Sequence, residues 1–326
     1  MHFIRLFDSD YGKNNSPITE DAMAGHLPWE WSRLTPFFFL HAGCLGVIWT
    51  GASPFAVLFA LGFYVFRMFA ITGFYHRYFS HRTFKTSRMM QFIFAIWGLL
   101  AVQRGPLWWA ANHRHHHQHS DKPTDLHSPL QRGFWWAHIG WLTNSFSMPT
   151  RYERIGDYAK FPELVWLNRF DWFVPLLLFL GMYALGDTLA HVAPQLGTTG
   201  WQMVVWGFFI STVLLYHGTS TINSLSHVFG SQRFETGDTS RNNWLLAIIT
   251  LGEGWHNNHH RYQAAAQQGF YWWEIDMTYY VLRAMAAVGL IWELKPVPAS
   301  IYAEAANGKL AMAKPTSTPV PTGSAA

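Results

Sequence analysis

Cysteine is almost missing from this chain. Cys44 stands alone among 326 residues, which excludes an internal disulfide, a cysteine-built zinc site and a cysteine-held iron–sulfur cluster. Charge is scarce too. Asp, Glu, Lys and Arg make up 13% of the chain, about half the share of an ordinary soluble protein. The formal net charge is only +4, and basic residues are not interleaved with aromatics, so no nucleic-acid partner is expected. No secretory leader is expected either. "MHFIRLFDSDYGKNN" has no charged start, apolar centre and small-residue cleavage site, so the chain is expected to begin in the cytosol.

Apolar and aromatic residues fill the space that charge leaves. Half the chain is hydrophobic and 17% is aromatic. A membrane-crossing helix needs roughly 20 mainly apolar residues, and four stretches qualify: about 35–52, 54–75, 173–193 and 201–222. Short turns containing Gly or Pro pair them, so the sequence predicts an all-α integral membrane protein with four transmembrane helices in two hairpins. The run "MMQFIFAIWGLLAV" (89–102) is too short to span and is expected along the interface or under the bundle. Neither hairpin turn contains Lys or Arg, so both termini and the long loop are placed on the cytosolic side. Arg67, within the second span, is expected to snorkel toward that side. This gives a cytosolic N-terminal segment (1–34), a membrane domain (35–302) whose helical cap comes from 76–172 and 223–302, and a disordered Ala/Pro/Thr/Ser-rich tail (303–326).

Histidine is the anomaly. There are 18, and three clusters stand out: "HRYFSH" (76–81), "HRHHH" (113–117) and "HNNHH" (256–260). The i, i+3, i+4 spacing places His113, His116 and His117 on one helix face, and likewise His256, His259 and His260. His76 and His81 are five residues apart, a turn of about 140° on an ideal α-helix, so they are expected to face different metals or straddle a helix end. In "NSLSH", Asn223 and His227 lie one turn apart. The second and fourth spans deliver His76 and His227 to the same side, where the cap can bring in the others. Nine imidazoles exceed one coordination sphere, so two metals are implied. His115 and His119 fall off the ligand faces, while His2, His26, His41, His191 and His217 are read as ordinary packing residues.

The donor type narrows the chemistry. Neutral imidazole suits Fe, Zn, Cu and Ni rather than Mg or Ca. No HE pair occurs, so the HExxH zinc-protease motif is absent. Only one ExxH exists ("EGWH", 253–256), so a ferritin-like carboxylate site is excluded as well. An all-histidine dinuclear centre beside a bilayer points to oxygen activation on an aliphatic lipid, with iron as the redox metal. A lipid hydroxylase or ketolase, and a non-catalytic metal-binding membrane protein, are the alternatives.

At these residues the sequence resembles the membrane-bound fatty acyl desaturases of the stearoyl-CoA (delta-9) type. HxxxxH, HRxHH, NxxxH and HxxHH recur in order, through "DLHSPLQRGFWWAHIGWL" and "GEGWHNNHH". The resemblance implies O2-dependent introduction of a cis double bond into a saturated acyl chain at a di-iron centre. It makes His76, His81, His113, His116, His117, His227, His256, His259 and His260 the ligands, with Asn223 acting through a water. It also places Gln103 and Trp109 along a bent substrate tunnel. Imidazole sites accept both metals, so zinc can replace iron in overexpressed protein. Imidazole ligands need their second nitrogen held, and Asp121, His127 and Glu253 are the candidates, with His138 a similar case or simply buried. The resemblance favours acyl-CoA as the substrate carrier, yet animal members carry a basic pair after GWL where "GWLTNSFSM" has none, and an arginine where Ala111 stands. Acyl carrier protein or a phospholipid is the alternative carrier, and Arg151 and Arg154 are the substitute phosphate contacts. With no haem-binding HPGG segment or flavin motif, electrons are expected from an external carrier (ferredoxin, rubredoxin or cytochrome b5) and its reductase.

Overall fold

The computed structural model describes residues 7–10, 17–25, 27 and 31–313; His2 and His26 lie outside them. The described chain is mostly helical. Its principal helices are α1 (Trp31–Cys44), α2 (Pro54–Ser80), α3 (Arg88–Leu99), α4 (Pro106–His119), α5 (Phe173–Val192), α6 (Gly200–His227), α7 (His256–Arg261), α8 (Met277–Ala287) and α9 (Ala299–Ala313). The only sheet among the described residues is one antiparallel pair, β1 (Lys85–Thr86) with β2 (Ile291–Trp292), in register Lys85 to Trp292.

Three helices, α2, α5 and α6, are long and apolar enough to cross a membrane. The first expected span, 35–52, is not a fourth of that kind. α1 ends at Cys44, and a separate turn covers Val47–Thr50. Glycine explains the break. The amides of Leu45 and Gly46 bond three residues back, to Ala42 and Gly43, and α6 packs so closely that a methyl at Gly43 would lie 2.3 Å from Phe209. Glycine therefore permits the contact while weakening the helix.

α2 starts where local chemistry dictates. Pro54 occupies its first turn, and the Ser53 hydroxyl accepts from the Ala56 amide at 3.1 Å. From Ala70 to Ser80 the helix widens to π geometry, so it runs five residues past the expected end at 75. α3 packs beneath this widened segment, with Phe94 stacked on Phe74 at 3.8 Å between ring centres. α5 keeps most of its surface outward, including Leu176, Leu177 and Leu180, as a helix facing lipid does.

Two expectations are corrected here. Arg67 does not snorkel. It is fully buried; its guanidinium donates to the Leu100 carbonyl at 3.1 Å, to Thr212 Oγ1 at 2.8 Å and to Ser211, and lies over the Phe63 ring. The free carbonyl at the end of α3 and two hydroxyls on α6 offer it closer partners than the interface does. The segment from 303 is not disordered throughout either. α9 continues to Ala313, with Glu304 paired to Arg261 and Ala305 buried; residues 314–326 lie outside the description.

Candidate metal centre

Nine histidines from four parts of the chain meet in two abutting sets. The first holds His76, His81, His113, His117 and His259; the second holds His116, His227, His256 and His260. The π segment of α2 resolves the five-residue spacing. The His81 amide bonds the His76 carbonyl at 3.2 Å, an i to i+5 link, so the two rings face the same point and their Nε2 atoms lie 3.1 Å apart. Of the two alternatives read from the spacing, the pair straddles the end of α2 and lies within one set rather than facing two. Each HxxHH triple instead divides between the sets. On α4, His113 and His117 join the first and His116 the second; on α7, His259 joins the first and His256 and His260 the second.

The first set forms a closed ring of five Nε2 atoms. Successive separations are 3.1 Å (His76–His81), 2.9 Å (His81–His113), 3.0 Å (His113–His117), 2.9 Å (His117–His259) and 3.0 Å (His259–His76). Hydrogen bonds cannot satisfy such a ring. Each bond needs one N–H and one lone pair, and an odd ring cannot alternate them, so at least one adjacent pair is mismatched. Five coplanar nitrogens at this spacing lie about 2.5 Å from their common centre, and closer if the ring puckers, against about 2.0–2.1 Å for a zinc–imidazole bond. A cation at the centre uses every lone pair. The donor set fits a metal.

Electrostatics keeps the lone pairs available. Burial, reinforced by neighbouring imidazoles, holds the pKa values of His81, His113, His117, His256 and His259 well below the ordinary histidine value. Burial also lowers His260, to about 4, despite Asp238. At His116 burial opposes the charged form, but the adjacent Asp125 carboxylate overcomes it and the pKa rises.

Four of the nine outward nitrogens face carboxylates, the arrangement that orients imidazoles at metal sites. Glu253 Oε2 lies 2.5 Å from His76 Nδ1. Asp125 lies 3.0 Å from His116 Nδ1, and Asp238 2.6 Å from His260 Nδ1. Asp121 reaches His227 more loosely, at 3.5 Å. Thr239 links the two, accepting from His227 Nδ1 at 3.1 Å and donating to Asp121 at 2.6 Å. Glu253 and Asp121 thus lie against the outer nitrogens of His76 and His227. His127 stacks on His116 with ring centres 4.2 Å apart, a face contact rather than a hydrogen bond to its outer nitrogen. Asp125, Asp238 and Thr239 escape the sequence reading. Only "DLH" flags Asp125, and nothing flags the other two. Asn257 and Asn258, between the α7 histidines, are fully buried and tie α7 to the Arg233–Phe234 loop and to Glu274.

Histidines outside the sets have other partners. His115 Nε2 meets the Thr124 carbonyl at 2.7 Å, and His119 Nδ1 the His115 carbonyl at 3.0 Å. His41, His217 and His138 form a string that ends on Ser224, so both ring nitrogens of His138 are engaged away from the ligands. His191 bonds the carbonyl one turn back. Two small cavities, about 50 and 40 Å³, share Trp109, His113, Thr219 and Asn223 in their walls. Gln103 lines the first, and Met68, Ile71 and His256 line the second. Arg151 is buried and donates to the Phe146 carbonyl, while Arg154 bonds Gln118 at 2.7 Å.

The profile of the fatty acid desaturase family matches residues 52–292, and that family generally uses a di-iron centre. The chain is 38% identical to a palmitoyl-monogalactosyldiacylglycerol delta-7 desaturase of Arabidopsis thaliana; the match covers 74% of this chain and 62% of that protein. It is 38% identical to an acyl-CoA 5-desaturase of Anemone leveillei, over 81% of this chain and 78% of that protein. It is 37% identical to an sn-1 stearoyl-lipid 9-desaturase of Anabaena variabilis, over 81% and 93%. On these matches the chain is an oxidoreductase and belongs to the fatty acid desaturase family.

Proposed function

We propose that this protein introduces a cis double bond at the delta-9 position of a saturated acyl chain, using O2 and electrons from an external carrier. The carrying observation is the pair of histidine sets with cavities against Trp109, His113 and Asn223. Two irons, held by the five-histidine and four-histidine sets, would supply O2 activation and hydrogen removal from unactivated carbon. The protein's own part is placement. Trp109 and Thr219, common to both cavity walls, would set which carbons pass the metal sets, and a misplacement of about 1 Å costs roughly 100-fold in rate. Glu253 holds a proton at His76 Nδ1 and so keeps its Nε2 lone pair inward. Asn223, beside His256 in the second cavity wall, would hold a water on the four-histidine set.

A membrane glycerolipid is the proposed acyl carrier. The basic pair after GWL is missing, Arg151 is buried on a backbone carbonyl and Arg154 is occupied by Gln118, so no phosphate-binding cluster is assembled there. Acyl-CoA is the second reading, favoured by relatives named acyl-CoA desaturases. The reaction is placed on the cytosolic face, from the sidedness of Lys and Arg. Expression in a host without its own desaturase, with GC–MS locating the double bond in the product, tests the proposal. A delta-9 monounsaturated product is expected; a hydroxy or keto product refutes it. Supplying labelled acyl-CoA or labelled glycerolipid to isolated membranes decides the carrier.

A further inference from the structure

The two histidine sets differ in the charge that surrounds them. In the four-histidine set, Asp238 bonds His260 Nδ1, Asp125 bonds His116 Nδ1, and Asp121 reaches His227 Nδ1 directly and through Thr239. No guanidinium bonds any of these three carboxylates among the described residues. Their other partners are neutral: Ser128, Thr236 and the backbone amides of Asp121, His127, Thr239 and Ser240. Their negative charge therefore stays on the imidazoles.

The five-histidine set is different. Only His76 has a carboxylate within ion-pair distance among the described residues, so four ligands are plain neutral imidazoles. That one carboxylate is also shared. Glu253 Oε1 takes two bonds from the buried Arg77 guanidinium, at 3.1 and 3.3 Å, and Arg77 in turn bonds Asp276. Arg114, on the Phe79 and Ser80 carbonyls beside His81, is balanced by Asp157. The charged groups named around this set sum to −1, with Glu253, Asp276 and Asp157 against Arg77 and Arg114, whereas the three aspartates around the four-histidine set sum to −3.

We infer that Asp238, Asp125 and Asp121 make the four-histidine set the one that stabilises the oxidised ion, while the five-histidine set, whose one carboxylate Glu253 is shared with Arg77, lies at a higher reduction potential. The inference rests on the metal-dependent reading above. A carboxylate on the outer nitrogen raises the basicity of an imidazole ligand, and a buried negative charge favours Fe(III) over Fe(II). With two irons bound, the first electron from the external carrier would reduce Fe(III) to Fe(II) in the five-histidine set, and the second would do so in the four-histidine set. These aspartates are positioning residues, since none touches substrate.

The test is a redox titration of the full-length, detergent-solubilised protein loaded with ⁵⁷Fe, reduced by mediated dithionite and monitored by Mössbauer and EPR spectroscopy. Two one-electron steps are expected, their midpoints separated by at least a tenfold difference in reduced fraction, about 59 mV. Asp238→Asn and Asp125→Asn raise the lower step and narrow the gap, Asp238→Glu restores it, and Glu253→Gln raises only the upper step. A single two-electron step in the unsubstituted protein overturns the inference, as does an aspartate variant that moves only the upper step. The unsubstituted protein decides the matter even where a variant fails to retain iron. A protein that takes up no iron overturns the functional reading as well.

Discussion

A single methyl group at position 98 would dislodge a ligand on a neighbouring helix. In Gly98→Ala the new Cβ would lie 1.9 Å from Tyr75 Cε1, 2.4 Å from Cδ1 and 2.6 Å from Cζ. Ordinary carbon contacts are about 3.5–4.0 Å, so the ring must retreat by about 1.5–2 Å. It has little room to do so. Tyr75 is fully buried, edge-on to Phe79, against Trp109, with its hydroxyl on the Arg104 carbonyl at 3.1 Å. Overpacking costs about 1–3 kcal/mol, and losing the hydroxyl bond adds about 0.5–1.5 kcal/mol. Alanine's better helix propensity returns only about 0.5–1 kcal/mol. The net expectation is a loss of about 0.5–4 kcal/mol. Because Tyr75 immediately precedes His76 in the π segment, metal content should fall with stability. Thermal unfolding in detergent and metal analysis of the same preparation provide the assay. Gly62→Ala is the control, since nothing lies within 4 Å of its added methyl and it should be neutral or slightly stabilising. Unchanged melting and metal content in Gly98→Ala would refute the packing argument.

The site sets three further outcomes. Arg77→Met leaves Glu253 and Asp276 buried without their cation, and should cost about 3–5 kcal/mol, read as a large drop in melting temperature and poor recovery from membranes. Chelation of the loaded protein should lower the melting temperature, because a metal that binds only the folded chain stabilises it by mass action; an unchanged melt after verified metal loss would contradict the ring argument. In metal-free protein, stability should hold above pH 7 and fall as the pH drops below about 6.5. Burial sets His115 at about 4 and His127 at about 3, so the unfolded chain takes up protons that the fold refuses. His116, raised by Asp125, works in the opposite direction, but the histidines held neutral outnumber it; a melting temperature that rises toward pH 5 would refute this.

The legible parts of this protein keep to a fixed period. Apolar length marks 54–75, 173–193 and 201–222, and helical spacing marks the HxxHH triples, because both signals are local. Expectation and structure part where the backbone leaves the assumed period. His76 and His81 point apart on a 3.6-residue helix, yet α2 widens by one residue per hydrogen-bonded turn from Ala70, and the two rings converge. Hydropathy ends α2 at Tyr75 because His76 and Arg77 score as polar, although both are buried against Glu253. Arg67 defies expectation for the same reason, since a charge scale cannot see the Leu100 carbonyl and the Ser211 and Thr212 hydroxyls waiting for it. The aspartates are a different case. Asp121 and Glu253 lie within a few residues of a histidine box and are within reach of sequence reasoning. Asp238 meets His260 across 22 residues of chain, and only folding brings a "TGDTS" segment to that histidine. The histidines are thus written as motifs, whereas the carboxylates beside them are written as tertiary structure, and the uneven placing of those carboxylates between the two sets cannot be read from any spacing.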